Sequence, residues 1–107
     1  TAARFDAHAN AKDLPLLVDF WASWCGPCRS MAPVFEAEAR ATESTLRFAK
    51  VDVDAEAALA ARFQVRSIPT LVLLRGGREV ARVAGAMQPS QLRAWIGQQL
   101  AGTHANA

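Results

Sequence analysis

Hydrophobic and polar positions along the chain change period several times, and each change marks an element. The apolar run LPLLVDFW (14–21) has the length and content of a buried strand. RFDAHANAKD (4–13) before it reads as a short helix. CGPCRSMAPVFEAEARAT (25–42) is rich in alanine and glutamate and spaces Met31, Val34 and Phe35 as a helix does. Pro27 falls in the first turn of that helix, where a missing N–H is harmless, whereas Pro33 lies inside it and should kink it. TLRFAKVDVD (45–54) alternates, with Arg47, Ala49, Val51 and Val53 on one side and Phe48, Lys50 and Asp52 on the other. Asp54 is suited to cap the helix AEAALAARF (55–63). SIPTLVLLRGGREVARV (67–83) reads as a hairpin joined through Gly76-Gly77, a pair suited to a type I′ turn. QPSQLRAWIGQQL (88–100) is an amphipathic closing helix with Pro89 in first position and Leu92, Trp95, Ile96 and Leu100 inward. Residues 1–4 and 101–107 are expected as frayed tails.

The predicted order α-β-α-β-α-β-β-α describes a single α/β domain over residues 1–107. It calls for a mixed sheet with a parallel core, covered on both faces by helices, and an antiparallel hairpin at its C-terminal end. The strand 14–21 is then central and buried on both sides. That makes Asp19, in its middle, a problem, because an unpaired buried charge is among the most costly things a fold contains.

Composition narrows the functional classes. The chain has 107 residues, 51% of them hydrophobic, enough for one core without staples. A net charge of +2 gives no argument for a nucleic-acid or membrane partner, and the arginines from Arg62 to Arg93 are dispersed and not interleaved with aromatics. No apolar run approaches the roughly 20 residues of a membrane span. No signal-peptide pattern is seen, although a first residue of Thr1 makes that weak evidence.

The candidate chemistry lies in Cys25-Gly26-Pro27-Cys28, the chain's two cysteines. As a staple the pair is poor, since so small a loop gains only about 1.9 kcal/mol in the chain-entropy model. As half of a zinc site it lacks two ligands: His8 and His104, both read as surface residues, are the only histidines, and they lie near opposite ends of the chain. The pair falls where a strand ends and a helix begins, so free N–H groups and the helix dipole favour a thiolate at Cys25. Cys28 follows one turn on, close enough for a disulfide. The arrangement gives an attacking thiol, more exposed, and a resolving thiol behind it.

VDFWASWCGPCRSMAP (18–33) resembles the active-site signature of the thioredoxin family, and SIPTLVLL, GG and VAGA follow in that family's order. The resemblance runs from Phe5 to about Leu100. FWASWCGPCR and AARFQVRSIPT are most similar to the bacterial thioredoxin 2 type, whose members often carry an upstream zinc module of paired cysteines. Two departures stand out. Only TAAR precedes Phe5, so the family's N-terminal edge strand is short or missing in this stretch. Arg29 also stands where many members have lysine.

The resemblance implies a thioredoxin fold and a protein-disulfide reductase. Cys25 would be the nucleophile and Cys28 its disulfide partner, with Trp24, Gly26 and Pro27 as a flat rim. Pro69 matches the family's cis-proline, after Ile68, and with Gly85 and Ala86 it would line a substrate groove. Asp19 matches a buried aspartate behind the resolving thiol, with a pKa raised by burial. Lys50 is either its partial charge partner or a lysine whose head reaches solvent. Asp54 matches the position that supplies a partner for the indole N–H of Trp21, so it is either helix cap or tryptophan partner, or both. The resemblance further implies no bound cofactor or metal, electrons from NADPH through thioredoxin reductase, disulfide-containing proteins as substrates, and a cytoplasmic monomer. A disulfide oxidase or isomerase, a metal-binding C-x-x-C module, and a non-redox protein-binding accessory are the alternatives.

Overall fold

The computed structural model describes residues 5–6, 14–42 and 44–105. Among these residues four strands, β1 (Leu16–Trp21), β2 (Arg47–Asp52), β3 (Thr70–Arg75) and β4 (Arg78–Ala84), form one sheet in the order β2-β1-β3-β4. They are accompanied by the helices α1 (Gly26–Thr42), α2 (Ala57–Arg62) and α3 (Pro89–Ala105). Phe5 and Asp6 are helical. The rest of the predicted first helix, the place of an N-terminal edge strand, His8 and the His104 side chain lie outside the described residues.

The mixed sheet stands as expected, but its parallel part is a single pair. β1 runs parallel to β2, with Asp19 opposite Lys50. It runs antiparallel to β3, with Asp19 opposite Leu71. The length of α2 explains this. Its six residues rise only about 9 Å, against roughly 20 Å for a six-residue strand. The chain leaving β2 therefore does not return to the far end of the sheet, and β3 starts where β1 ends, Thr70 beside Phe20. One end of the sheet thus collects the end of β1, the start of β3 and the end of β4.

Alternation along β1 divides the core in two. Leu16, Val18 and Phe20 pack with Phe5, Val51, Leu59, Val72 and Leu74. Leu17, on the other face, packs with Met31 and Phe35 of α1, Leu71 and Leu73 of β3, and Leu92 and Ile96 of α3. Helices thus cover both faces, and β1 is central and buried as its apolar run predicts. The predicted alternation of β2 also stands: Ala49 and Val53 join the first cluster and Phe48 the second.

The hairpin turns through Gly76 and Gly77, at φ 60° and 80°, the left-handed values that a type I′ turn requires of both central residues. β4 is the exposed edge, and its register shifts between Leu73 and Leu74, leaving Val80 unopposed and 44% exposed. α1 continues through Pro33 to Thr42. α3 starts at Pro89 as expected but runs beyond Leu100 to Ala105, so residues 101–105, read from sequence as part of a frayed tail, carry helical backbone.

Candidate active site

Cys25 ends the loop after β1, and α1 begins one residue later. The amide of Cys25 donates to the Ala22 carbonyl at 3.2 Å, a turn that brings the chain from strand to helix. Cys25 and Cys28 form a disulfide with Cα atoms 5.2 Å apart, within the ordinary range for such a bond. The Cys28 amide points at the Cys25 sulfur, 3.2 Å away. A free N–H of the first helical turn, which has no partner within the helix, therefore faces the atom that would carry negative charge in the reduced form. Both cysteines are buried, Cys25 at 5% exposure and Cys28 at 2%.

The rim is built from three segments at the same end of the sheet. Trp24 is 66% exposed, and its indole N–H donates to Asp54 Oδ2 at 2.8 Å. The predicted roles of Asp54 are both corrected by this bond. Its side chain serves Trp24 rather than Trp21, and it does not cap α2, whose N-cap is Glu56 without a side-chain bond. Asp52 instead organises the preceding turn, Oδ1 accepting from the amides of Asp54 and Ala55 at 2.9 and 3.3 Å. Trp21 is half-buried among Ala22 and the two cysteines.

Further along the chain, the Ile68–Pro69 peptide bond is cis, and the Ile68 carbonyl oxygen lies 3.8 Å from Cys25 Sγ. Gly85, at φ 100°, donates its amide to the Pro69 carbonyl at 2.9 Å, which holds the end of β4 against the Pro69 loop. Beside Ala86 a shallow pocket of about 140 Å³ opens between Met31, Val34 and Met87. Gly26 is partly exposed and Pro27 exposed. Arg29 sends its guanidinium back to the Ser23 carbonyl at 3.0 Å, so its charge stays beside the loop that carries Cys25.

Asp19 lies on the same face of β1 as Leu17 and Trp21, under α1, and is 1% exposed. Its Oδ1 is buried without a hydrogen-bond partner. Desolvation pushes its pKa up to about 6, against a smaller downward pull from the Lys50 charge. Lys50 thus does act on Asp19, but its ammonium is engaged elsewhere. It sits 3.6 Å from Glu36 Oε2 on α1 and 4.7 Å above the centre of the Trp21 ring. Sequence reasoning missed Glu36. The helical spacing of α1 alone does not say that its exposed edge reaches β2.

Among the described residues no group of three or more His, Cys, Asp or Glu side chains is placed to hold a metal ion. No helix there is long and apolar enough to cross a membrane.

Comparison with known proteins agrees with this geometry. The thioredoxin family model matches residues 1–98. The chain is 47% identical over 100 residues to a thioredoxin of Alicyclobacillus acidocaldarius, covering 94% of each. It is 49% identical over 86 residues to a bifunctional thioredoxin reductase/thioredoxin of Mycobacterium leprae, covering 80% of this chain and 19% of that one. The X-ray structure of Fasciola hepatica thioredoxin superposes with a TM-score of 0.84 at 41% identity, over 92% of this chain and 93% of that one. A cysteine pair at a helix N-terminus, facing a Pro69 loop across the end of a mixed sheet, and these matches lead to one assignment: the chain belongs to the thioredoxin family of dithiol–disulfide oxidoreductases, with Cys25 and Cys28 as its redox-active pair.

Proposed function

We propose that this protein reduces disulfides of partner proteins, with Cys25 as nucleophile and Cys28 as resolving thiol. The observation that carries the assignment is the placing of Cys25 Sγ, near the Cys28 amide at 3.2 Å and the Ile68 carbonyl at 3.8 Å. The first stabilises a thiolate, and the second marks the edge along which a substrate segment aligns as an added strand. Ile68, Pro69, Gly85 and Ala86 form that edge and its far wall, with Trp24, Gly26 and Pro27 on the near side.

The Cys25 thiolate attacks one substrate sulfur. The Cys25–substrate bond forms, the substrate disulfide breaks, and the departing sulfur takes a proton from water. Cys28 then loses its proton to the Asp19 carboxylate, directly or through a water, and attacks Cys25. The Cys25–Cys28 disulfide forms, and the second substrate sulfur leaves as a thiolate that takes up the proton held by Asp19, directly or through water. The substrate gains two electrons and two protons, and the protein is left oxidised. A pKa near 6 suits Asp19 to this exchange, because it then both accepts and returns a proton around neutral pH.

Electrons return from NADPH through a thioredoxin reductase. The Mycobacterium leprae relative, whose name joins a thioredoxin reductase and a thioredoxin, supports that partnership. Dependence on NADPH points to the cytoplasm as compartment, and the protein works as a monomer without a bound cofactor. The test is insulin-disulfide reduction driven by NADPH and thioredoxin reductase. The wild-type protein turns over, and Cys25→Ser lowers turnover to the background rate. Absence of turnover with both thiols free, or full activity in Cys25→Ser, overturns the proposal.

A further inference from the structure

Asp19 and Lys50 stand opposite each other in the β1–β2 register, and Asp19 Oδ1 has no hydrogen-bond partner. A lysine on the neighbouring strand is the natural counter-ion for such a group, yet the Lys50 ammonium is held elsewhere. Glu36 Oε2 lies 3.6 Å from it, and the Trp21 ring lies 4.7 Å below it. These two contacts fix the head of a flexible side chain over the residue that follows Asp19 on the same face of β1.

We propose that Glu36 is a positioning residue for the thiol-exchange reaction. By holding the Lys50 ammonium against Trp21, it prevents Lys50 from neutralising Asp19 and so keeps Asp19 able to take up a proton near neutral pH. The inference rests on Asp19 as the proton site of the proposed reaction, although its first test does not.

The other groups facing Asp19 do not duplicate this control. β3 presents Leu71 opposite it, which does not titrate. On β2, Asp52 shares the Lys50 face but has Oδ1 committed to two backbone amides. α1 presents Glu36 and, at its start, the Cys25–Cys28 pair, which does not titrate while oxidised. Asp54, beyond β2, is bonded to Trp24. Lys50 already pulls the Asp19 pKa downward from where it is held, against the larger effect of burial. Released from Glu36, it gains a nearby unpartnered carboxylate oxygen, and the pull grows.

The experiment is carbon-detected NMR titration of the Asp19 carboxyl in the oxidised protein, where neither cysteine titrates. Glu36 and Lys50 are both partly exposed, so Glu36→Gln and Lys50→Met leave the core intact. Glu36→Gln lowers the Asp19 midpoint by roughly half a pH unit, the scale of a partly exposed charge pair. Lys50→Met raises the midpoint, and adding Glu36→Gln to Lys50→Met moves it no further. In insulin reduction, the acid limb of the pH profile shifts with the NMR midpoint in each variant. An unchanged or raised midpoint in Glu36→Gln overturns the proposal. So does an equal downward shift in the Lys50→Met background, which makes Glu36 a direct charge on Asp19 and not a positioner of Lys50. Midpoints that move as stated while every pH profile stays fixed leave Glu36 positioning Lys50 but remove Asp19 from the exchange step, which overturns the reaction role of both.

Discussion

The two faces of β1 are built from the same six residues and follow opposite rules. Leu16, Val18 and Phe20 meet an all-apolar cluster in which the helix α2 and the strands β2 and β3 take part. Leu17, Asp19 and Trp21 face α1, and there a carboxylate occupies the central position with one oxygen unmatched. A strand shaped by stability alone would carry an apolar residue at 19. The contrast sharpens against Glu38, which is also buried but has Arg93 at 3.5 Å across the α1–α3 contact. A buried acid with a counter-ion ties two helices together. A buried acid without one destabilises the fold and calls for a functional explanation.

The largest expected effect comes from breaking the apolar face. Phe20 is fully buried, and Phe20→Ala is expected to cost about 3–5 kcal/mol in urea unfolding. Where the variant remains folded, its disulfide-exchange rate should stay near wild type. A large loss of rate per folded molecule would show that the two faces are not separable.

Asp19→Asn should act in the opposite sense. The rise of the Asp19 pKa from its ordinary 3.8 to about 6 corresponds to about 3 kcal/mol. A carboxyl raised on folding lowers stability progressively as pH climbs above the unfolded value, and the loss is complete above the folded value. Asp19→Asn is therefore expected to be more stable than wild type by up to about 3 kcal/mol at pH 8. The advantage should shrink from pH 6 downward and vanish below pH 3.8. Insulin reduction should fall by about a hundredfold, the lower end of what a positioned proton-transfer group contributes. A variant that is less stable at pH 8 and turns over normally makes Asp19 an ordinary hydrogen-bonded core residue.

What was legible in the sequence follows the same division. The apolar run of β1, the helical spacing of Met31 and Phe35, and Gly76-Gly77 each depend on neighbours within a few residues, and each element formed where predicted. The C-x-x-C pair was legible because its chemistry is local as well. Three features were not, and all depend on where distant segments meet. The antiparallel start of β3 depends on how far α2 carries the chain, a matter of its length rather than its pattern. The sequence offers Lys50 either Asp19 or solvent, because nothing in the α1 pattern marks Glu36 as the group it meets. The family pattern points Asp54 at Trp21, although Trp24 lies just three residues further on. Trp21 ends the strand and turns inward, whereas Trp24 stands in the turn beyond it, where an exposed indole needs a polar partner.

That last pair gives the smallest effect and the finest test, because it separates the rim of the site from the buried face beneath it. The bond from Trp24 to Asp54 is exposed, and such a hydrogen bond contributes on the order of 1 kcal/mol. Asp54→Ala should therefore leave stability within about 1 kcal/mol of wild type, and the Asp19 titration unchanged. It frees a large exposed ring beside Cys25, and that ring must be immobilised again whenever a protein substrate docks. Ordering one side chain costs about 0.5–1.5 kcal/mol, so KM for insulin should rise about two- to tenfold while kcat holds. A small aromatic disulfide, too small to use the rim, should react at the wild-type rate. An unchanged KM means that packing alone holds Trp24. A slowed reaction with the small disulfide means that Asp54 acts on the cysteines themselves, and the boundary between rim and reacting centre must then be drawn further out.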